Sequence, residues 1–273
     1  MTLNEAVILL KGAGVPSPAN DARAIFSFID GIEPSYLLCH PEAEASVAAE
    51  AAILRRADRE PLQYILGEVA FFNESYRVSA DCLIPRPDTE ILVEYAVRHI
   101  PAGERFIDLC TGSGCIAIST LSNTKHTTAL AVDISDGALA IAKENAERNG
   151  VAERLELRKC DLLSADSAAP LGECFAVLSN PPYIDPEVYA GLEAELFFEP
   201  KIALVAEGRG GEFYERLVPL ALSIIKKDGF AAFEIGFDQA ELLRSLAKKH
   251  NAKIEIIKDY SNNDRVAVLR PEA

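Results

Sequence analysis

In the segment RFIDLCTGSGCIAISTLSNTKHTTALAVD, Arg105 to Asp133, the apolar strand RFIDLC runs into a glycine-rich turn. That turn opens the helix CIAISTLSN, and TTALAVD follows as a second strand. Gly112 and Gly114 allow the backbone to turn tightly and to approach a ligand closely. The same alternation extends outward. TEILVEYAVRHI, before the segment, has the periodicity of an amphipathic helix; DGALAIAKENAERNG, after it, is a helix ending at Gly150. RLELRKCD and CFAVLSN read as strands, GEFYERLVPLALSIIKKDG as a helix stopped by Gly229, and FAAFEIG as a strand. After the helix DQAELLRSLAKKHN come the strands KIEIIKDY and RVAVLRP. Strands alternating with helices predict an α/β fold, a mostly parallel sheet covered on both faces.

Upstream the texture changes. LNEAVILLKGAG, SPANDARAIFSFIDG and PEAEASVAAEAAILRRADRE carry helix signals, while GEVAFFNESYRVSADCLIP alternates apolar residues around NES and predicts a hairpin. The expected organisation is a helical N-terminal domain over residues 1–67, a β-hairpin linker over 68–84 and an α/β domain over 85–273. The first residues, MTLNEAVILLKGAG, lack a basic n-region and a small-residue cleavage site, so they read as an amphipathic helix and not a signal peptide. No apolar run reaches the roughly 18 residues needed to span a bilayer, so no membrane association is expected.

A net charge of −15 would repel a phosphate backbone, which argues against nucleic acid as substrate and for a neutral or basic partner. The six cysteines contain no C-x-x-C pair and no histidine stands at zinc-ligand spacing, so no metal is expected. Unpaired cysteines without a signal peptide suggest a reducing cytoplasm. Without a long heptad or an apolar stripe, the expected state is a monomer.

In a parallel sheet of this kind ligands bind beyond the C-terminal ends of the strands, near the topological switch point. Four such corners stand out. The first is DLCTGSGC, with Asp108, Cys110, Thr111, Gly112, Ser113 and Gly114. GSGCIA also fits a variant of the dinucleotide fingerprint, and the bland alternative is a tight strand–helix turn without a ligand. The second is Asp133, 19 residues after Gly114. An acid there can accept both hydroxyls of a ribose, although it could instead cap the next helix, a job for which Ser135 competes. The third is Asp161 in KCDLL, placed to accept a hydrogen bond from an exocyclic amine such as that of adenine, or else a turn aspartate. The fourth is VLSNPPYIDPEV, Val177 to Val188. Asn180 supplies an acceptor and two donors, Pro181 and Pro182 stiffen the corner and leave their carbonyls uncontested, and Tyr183 offers a flat face. Together these are equipment for holding a planar –NH2 group.

DLCTGSGC, AVD, CD and SNPPY resemble a class I S-adenosylmethionine-dependent methyltransferase carrying the [ND]-P-P-[YF] motif of enzymes that methylate planar nitrogen. REPLQYILGEVAFF, LIPRPDTEILVE, DLCTGSGCIAIS, AVDIS, SNPPYI, FEPKIAL, FEIG and DRVAVL also occur in the order of the HemK/PrmC family, a resemblance that runs from about Arg59 to the C-terminus. It implies a Rossmann-like seven-stranded, mostly parallel sheet with a small all-α N-terminal substrate-docking domain and a β-hairpin connector. The implied reaction moves a methyl group from S-adenosyl-L-methionine to the side-chain amide nitrogen, N5, of the glutamine in the Gly-Gly-Gln loop of bacterial class I peptide chain release factors.

Carried over position by position, Asp108 and the loop Cys110 to Gly114 would wrap the methionine part of the cofactor. Asp133 would bind the ribose, Asp161 and Leu162 would border the adenine, and Asn180, Pro181, Pro182 and Tyr183 would hold the substrate glutamine, with Asn180 also next to the cofactor. Three positions depart from the family pattern: Cys110 stands where glycine is usual, Asp88 where glutamate is usual, and no glycine precedes Asp264-Arg265. If the loop needs positive φ at position 110, cysteine is strained there. The alternatives are a ribosomal-protein glutamine methyltransferase and an adenine-N6 nucleic-acid methyltransferase, which shares the Asn-Pro-Pro-Tyr corner. A dinucleotide oxidoreductase would use the glycine turn and Asp133 but not Asn180 to Tyr183.

Overall fold

The computed structural model describes residues 1–164 and 171–272, which divide into two compact units. The first comprises Met1–Val69 with the short segment Glu193–Phe198; the second comprises Ala70–Leu192 and Glu199–Ala273.

The first unit holds five helices: α1 (Leu3–Gly12), α2 (Pro18–Asp30), α3 (Pro34–Cys39), α4 (Val47–Ala57) and α5 (Leu62–Leu66). α1 begins with a full capping box, in which the Thr2 hydroxyl accepts from the Glu5 N–H and the Glu5 carboxylate accepts from the Thr2 N–H. The helix expected across PEAEASVAAEAAILRRADRE starts only at Val47, because Ser46 caps it by accepting from the Ala49 N–H. Leu3, Ala6, Leu10, Ile25, Phe26 and Ile53 form the apolar centre. Arg56, only 5% exposed, donates from Nε to Asp21 (2.8 Å) and from Nη2 to Glu195 (2.9 Å); Arg59 donates to the same Glu195 (2.8 Å). Burial works against ionisation of Glu195, but the two guanidinium groups hold its carboxyl at about 2.

In the second unit the hairpin strands are β1 (Glu68–Phe71) and β2 (Glu74–Arg77), the boundary between units falling within β1. The turn is Phe72-Asn73, with Phe72 at φ 57°, one residue earlier than the NES expected from sequence. The sheet that follows contains β3 (Arg105–Leu109), β4 (Thr128–Asp133), β5 (Leu155–Lys159), β6 (Cys174–Ser179), β7 (Ile225–Glu234), β8 (Ala252–Lys258) and β9 (Asp264–Pro271), in the order β5-β4-β3-β6-β7-β9-β8. All neighbours from β5 to β7 run parallel, and β9 is antiparallel to both β7 and β8. The longer helices around it are α6 (Glu90–His99), α7 (Cys115–Ser122), α8 (Asp136–Arg148), α11 (Glu212–Ile224) and α12 (Ala240–Lys249); α9 (Pro186–Tyr189) and α10 (Glu207–Gly210) are single turns.

Side chains alternate across a strand. Ile107 and Leu109 of β3 and Leu130 and Val132 of β4 thus share one face, in a single apolar cluster with Tyr214, Leu217 and Val218 of α11 and Leu243 of α12. Asp108 lies on the opposite face, fully buried, at the start of α7. A further element differs from expectation: α11 ends at Ile224 and not at Gly229, and Ile225 already pairs with Cys174. The register between β6 and β7 shifts before Ala176 pairs with Phe230. At that irregularity a Cβ on Gly229 would lie 2.2 Å from the Phe175 carbonyl oxygen, so the glycine permits a close approach of two strands and is not a helix stop.

Because breaking a buried ion pair leaves an uncompensated charge, Arg56→Met is expected to cost about 3–5 kcal/mol of unfolding free energy. A urea titration of the intact chain would read it as a lower midpoint for the helical unit.

Candidate active site

Parallel register brings the corners together. Leu109 lies opposite Val132 on one side and Ser179 on the other, Asp133 opposite Lys159, and Ser179 opposite Phe233. Cys110, Asn180 and Glu234, each one residue further along, therefore stand level with Asp133 and Lys159 in one row at the C-terminal edge, and Cys160 lies one residue beyond it. β3 is also where the strand order reverses, with β4 and β6 on its two sides, so this row borders the switch-point crevice.

A cavity of about 230 Å³ opens there, lined by Cys110, Gly112, Asp133, Asp161, Leu162 and Pro182 among others. A smaller one, about 30 Å³, is lined by Cys110, Thr111, Gly112, Ser113, Asn180 and Thr89. Of the residues singled out from sequence, Asp108, Gly114, Pro181 and Tyr183 line neither cavity. The larger cavity carries five carboxylates, of Asp81, Asp133, Asp161, Glu207 and Glu212, and its described lining has no lysine or arginine. Such walls suit a cationic ligand and disfavour a phosphate-bearing dinucleotide, which needs donors and positive charge.

The glycine loop is built from beneath. Asp108 Oδ2 accepts from the Thr111 hydroxyl (2.6 Å) and the Ala117 N–H (3.2 Å), while its buried Oδ1 has no partner. Burial, only partly offset by those two hydrogen bonds, pushes its carboxyl up to about 7. Asn145, fully buried on α8, donates to the Ser113 and Arg77 carbonyls and accepts from the Arg77 N–H, joining the loop to the end of β2. Cys110 does adopt positive φ, 60°, the left-handed region that glycine occupies without strain. Its partly buried thiol packs against the central cluster, and burial pushes its pKa upward, which disfavours the nucleophilic thiolate. Gly114 is left-handed as well, at φ 82°, and a Cβ there would meet Ile118 Cδ1 at 2.8 Å.

Ser135, not Asp133, caps α8, accepting from the Ala138 N–H. Asp133 accepts from the Gly112 N–H through Oδ2 (2.8 Å) and from the Ser135 N–H through Oδ1 (2.9 Å). A carboxylate has about four lone-pair positions, so capacity for two further donors remains. Burial raises its pKa against the opposing backbone bonds. Asp161 does serve its turn, Oδ1 accepting from the Leu163 and Ser164 N–H groups, while also lining the cavity.

At the fourth corner Asn180 Nδ2 donates to Thr89 Oγ1 (3.2 Å). The Tyr183 ring packs on the central cluster; its hydroxyl donates to Glu234 (3.2 Å), and its carbonyl accepts from Gln239 Nε2 (3.1 Å). Glu199 pairs with Arg86 and accepts from the Ile84 N–H (3.0 Å), tying down a segment of which Leu83 lines both cavities and Pro85 and Arg86 line the smaller one. Thr89, Glu199 and Glu234 were not singled out from sequence. Their only signal was membership of the strings IPRPDTE, FEPKIAL and FEIG.

Residues 2–67 match the family model described as PrmC N-terminal domain, and residues 87–210 match the one described as methyltransferase small domain. The chain is 36% identical over 274 residues to the release factor glutamine methyltransferase of Cereibacter sphaeroides, covering 98% of this chain and 96% of that one. To the enzyme of the same name from Fusobacterium nucleatum it is 34% identical over 279 residues, covering 98% and 77%. Among solved structures, the ribosomal protein L11 methylase of Lactobacillus delbrueckii subsp. bulgaricus shares the fold, with a TM-score of 0.53 at 21% identity over 72% of this chain and 86% of that one. Sheet order, switch-point cavity and matched domain define a methyltransferase of the Rossmann-like class I. Within that class the chain belongs to the release factor glutamine methyltransferase family.

Asp108 holds a proton in the folded chain that the unfolded chain releases near pH 4, so its contribution to stability falls as pH rises from about 4 to about 7. Asp108→Asn is expected to remove that slope. The melting temperature of the variant relative to wild type should climb across this window and level off above it.

Proposed function

We propose that this enzyme transfers the methyl group of S-adenosyl-L-methionine to N5 of the glutamine in the Gly-Gly-Gln loop of bacterial class I release factors. The observation that carries this reading is Asn180. Its amide stands at the end of β6 with Nδ2 engaged by Thr89, and among the described residues no donor reaches Oδ1. An oriented acceptor beside an acidic cavity is what a neutral –NH2 substrate and a cationic cofactor require.

The residues present fit the cofactor. Asp133 retains lone pairs for ribose hydroxyls, Leu162 and Asp161 border the cavity, and its carboxylates complement a ligand bearing ammonium and sulfonium charge. When bound, S-adenosylmethionine supplies a methyl group on sulfur, already activated for transfer. The chain's own task is then alignment. An amide nitrogen is a weak nucleophile because its lone pair is delocalised, and positioning can contribute on the order of 7–11 kcal/mol. Asn180 Oδ1 and the Pro181 carbonyl accept the two amide N–H bonds, orienting the nitrogen and stabilising the positive charge that grows on it. Pro181 and Pro182 have no N–H to compete for those acceptors, and their rings fix the corner. The same reading takes the N-terminal helices as the substrate-docking domain. It also makes the protein a monomer of the reducing cytoplasm, consistent with six free cysteines.

Labelled S-adenosylmethionine, a class I release factor, and the same factor with the loop glutamine changed to alanine form the direct test. Label on the first factor and none on the second is expected; label on ribosomal protein or DNA would overturn the substrate assignment. Asn180→Ala is expected to depress kcat while leaving cofactor Kd unchanged. Asp133→Ala should do the reverse, weakening cofactor binding about 10- to 100-fold through lost charge-assisted hydrogen bonds. Since protonation of Asp133 removes the same acceptors, the wild-type Kd should weaken as pH falls and that of Asp133→Asn should not, both read by isothermal titration.

A further inference from the structure

Asn180 ends a chain of hydrogen bonds that reaches into the sheet. Its Nδ2 donates to Thr89 Oγ1 (3.2 Å), Thr89 Oγ1 donates to Glu234 Oε2 (2.6 Å), and the Tyr183 hydroxyl donates to Glu234 Oε1 (3.2 Å). Thr89 and Glu234 are 2% and 1% exposed, so neither bond is a surface accident. Thr89 stands at the N-cap position of α6, yet its hydroxyl makes no capping bond there. The usual reason for a threonine at a helix start is therefore absent, and its hydroxyl is spent on Glu234 and Asn180.

We propose that Thr89 and Glu234 are positioning residues that set the orientation of the Asn180 amide, so that its oxygen and not its nitrogen faces the substrate glutamine. This inference rests on the glutamine-methylation reading above.

The direction of each bond follows from the chemistry of the groups. Both Glu234 oxygens receive hydroxyl donors, Oε2 from Thr89 and Oε1 from Tyr183, so in its charged form the carboxylate only accepts and the Thr89 proton points at Glu234. The Thr89 oxygen is then left to accept, and the only donor on the Asn180 side chain is its –NH2. Oδ1 is thereby turned away from Thr89. Rotating the amide by half a turn would place two acceptors, Oδ1 and the Glu234 carboxylate, against one hydroxyl proton and leave one of them buried without a donor. Burial pushes the Glu234 carboxyl upward and Asp88 adds to that, while the hydrogen bonds from Thr89 and Tyr183 and the charge of Arg265 favour its charged form; the Tyr214 hydroxyl donates to the Glu234 main-chain carbonyl. Thr89 and Glu234 make no contact with substrate in this assignment; they act through Asn180.

The test is a mutant cycle on full-length enzyme with release factor and S-adenosylmethionine as substrates. Thr89→Val keeps the shape and removes the hydroxyl. It is expected to lower kcat about 10- to 100-fold, as misplacement near 1 Å does, with cofactor Kd unchanged. Thr89→Ser restores the hydroxyl and should restore kcat; because the serine variant also reports on packing, a fall in both variants together with a lower melting temperature would assign Thr89 a structural role and overturn the proposal. In the Asn180→Ala background, Thr89→Val should have no further effect on the residual kcat, since it acts only through that amide. Wild-type kcat in Thr89→Val, or effects of the two substitutions that simply multiply, would overturn the positioning role and leave the glutamine reading standing. Failure of the wild-type enzyme to label the factor would overturn both.

Discussion

The in-register parallel pairing of β3 with β4 and β6 is the constraint on which this site depends. Leu109 sits level with Val132 and with Ser179, so the three loops that follow leave the sheet at one height. They diverge because the chain crosses in opposite directions from β3, and the gap between them is the cavity. A register slip of one residue would turn Asp133 to the other face of the sheet and put Asn180 out of line with Glu234. Ridge-forming side chains of α11 and α12 against Ile107, Leu130 and Val177 make such a slip costly, so the apolar cluster beneath the sheet and the polar row at its edge are one construction.

The edge carries several polar groups under desolvation. Asp108, Asp133 and Glu234 are all buried enough that their charged forms are disfavoured. Each is held by donors: Thr111 and the Ala117 N–H at Asp108, the Gly112 and Ser135 N–H groups at Asp133, Thr89 and Tyr183 at Glu234. This concentration of costly groups at the crevice, and not in the apolar cluster behind it, is the pattern expected of a site built for function. Cys110 belongs with them. Its left-handed backbone is strained for a residue with a Cβ, and the loop that imposes it lines both cavities.

Much of this was legible in the chain itself. Alternating apolar runs and helix-period segments specify strands and helices with little ambiguity when each is bounded by glycine, proline or a capping serine, as at Gly150, Gly31 and Ser135. The corners DLCTGSGC, AVD, CD and SNPPY could be read because functional residues in a parallel sheet follow strand ends directly, so sequence position and spatial position coincide. Where a glycine has a different job the same signals mislead: Gly229 lies within β7, where it admits the Phe175 carbonyl, and the helix before it stops five residues sooner.

What the sequence by itself determined is the alternation of elements, the four corners and the resemblance they carry, since all of these are local in the chain. Tertiary structure alone decided which distant residues complete them. Thr89, Asn180 and Glu234 are separated by 91 and, from Thr89 to Glu234, 145 positions, and Asn145 meets Ser113 across 32. No periodicity or propensity relates such pairs. They meet because backbone hydrogen bonding fixes the order and height of strands far apart in the chain. A buried polar side chain is then satisfied by whatever partner that arrangement brings within about 3 Å.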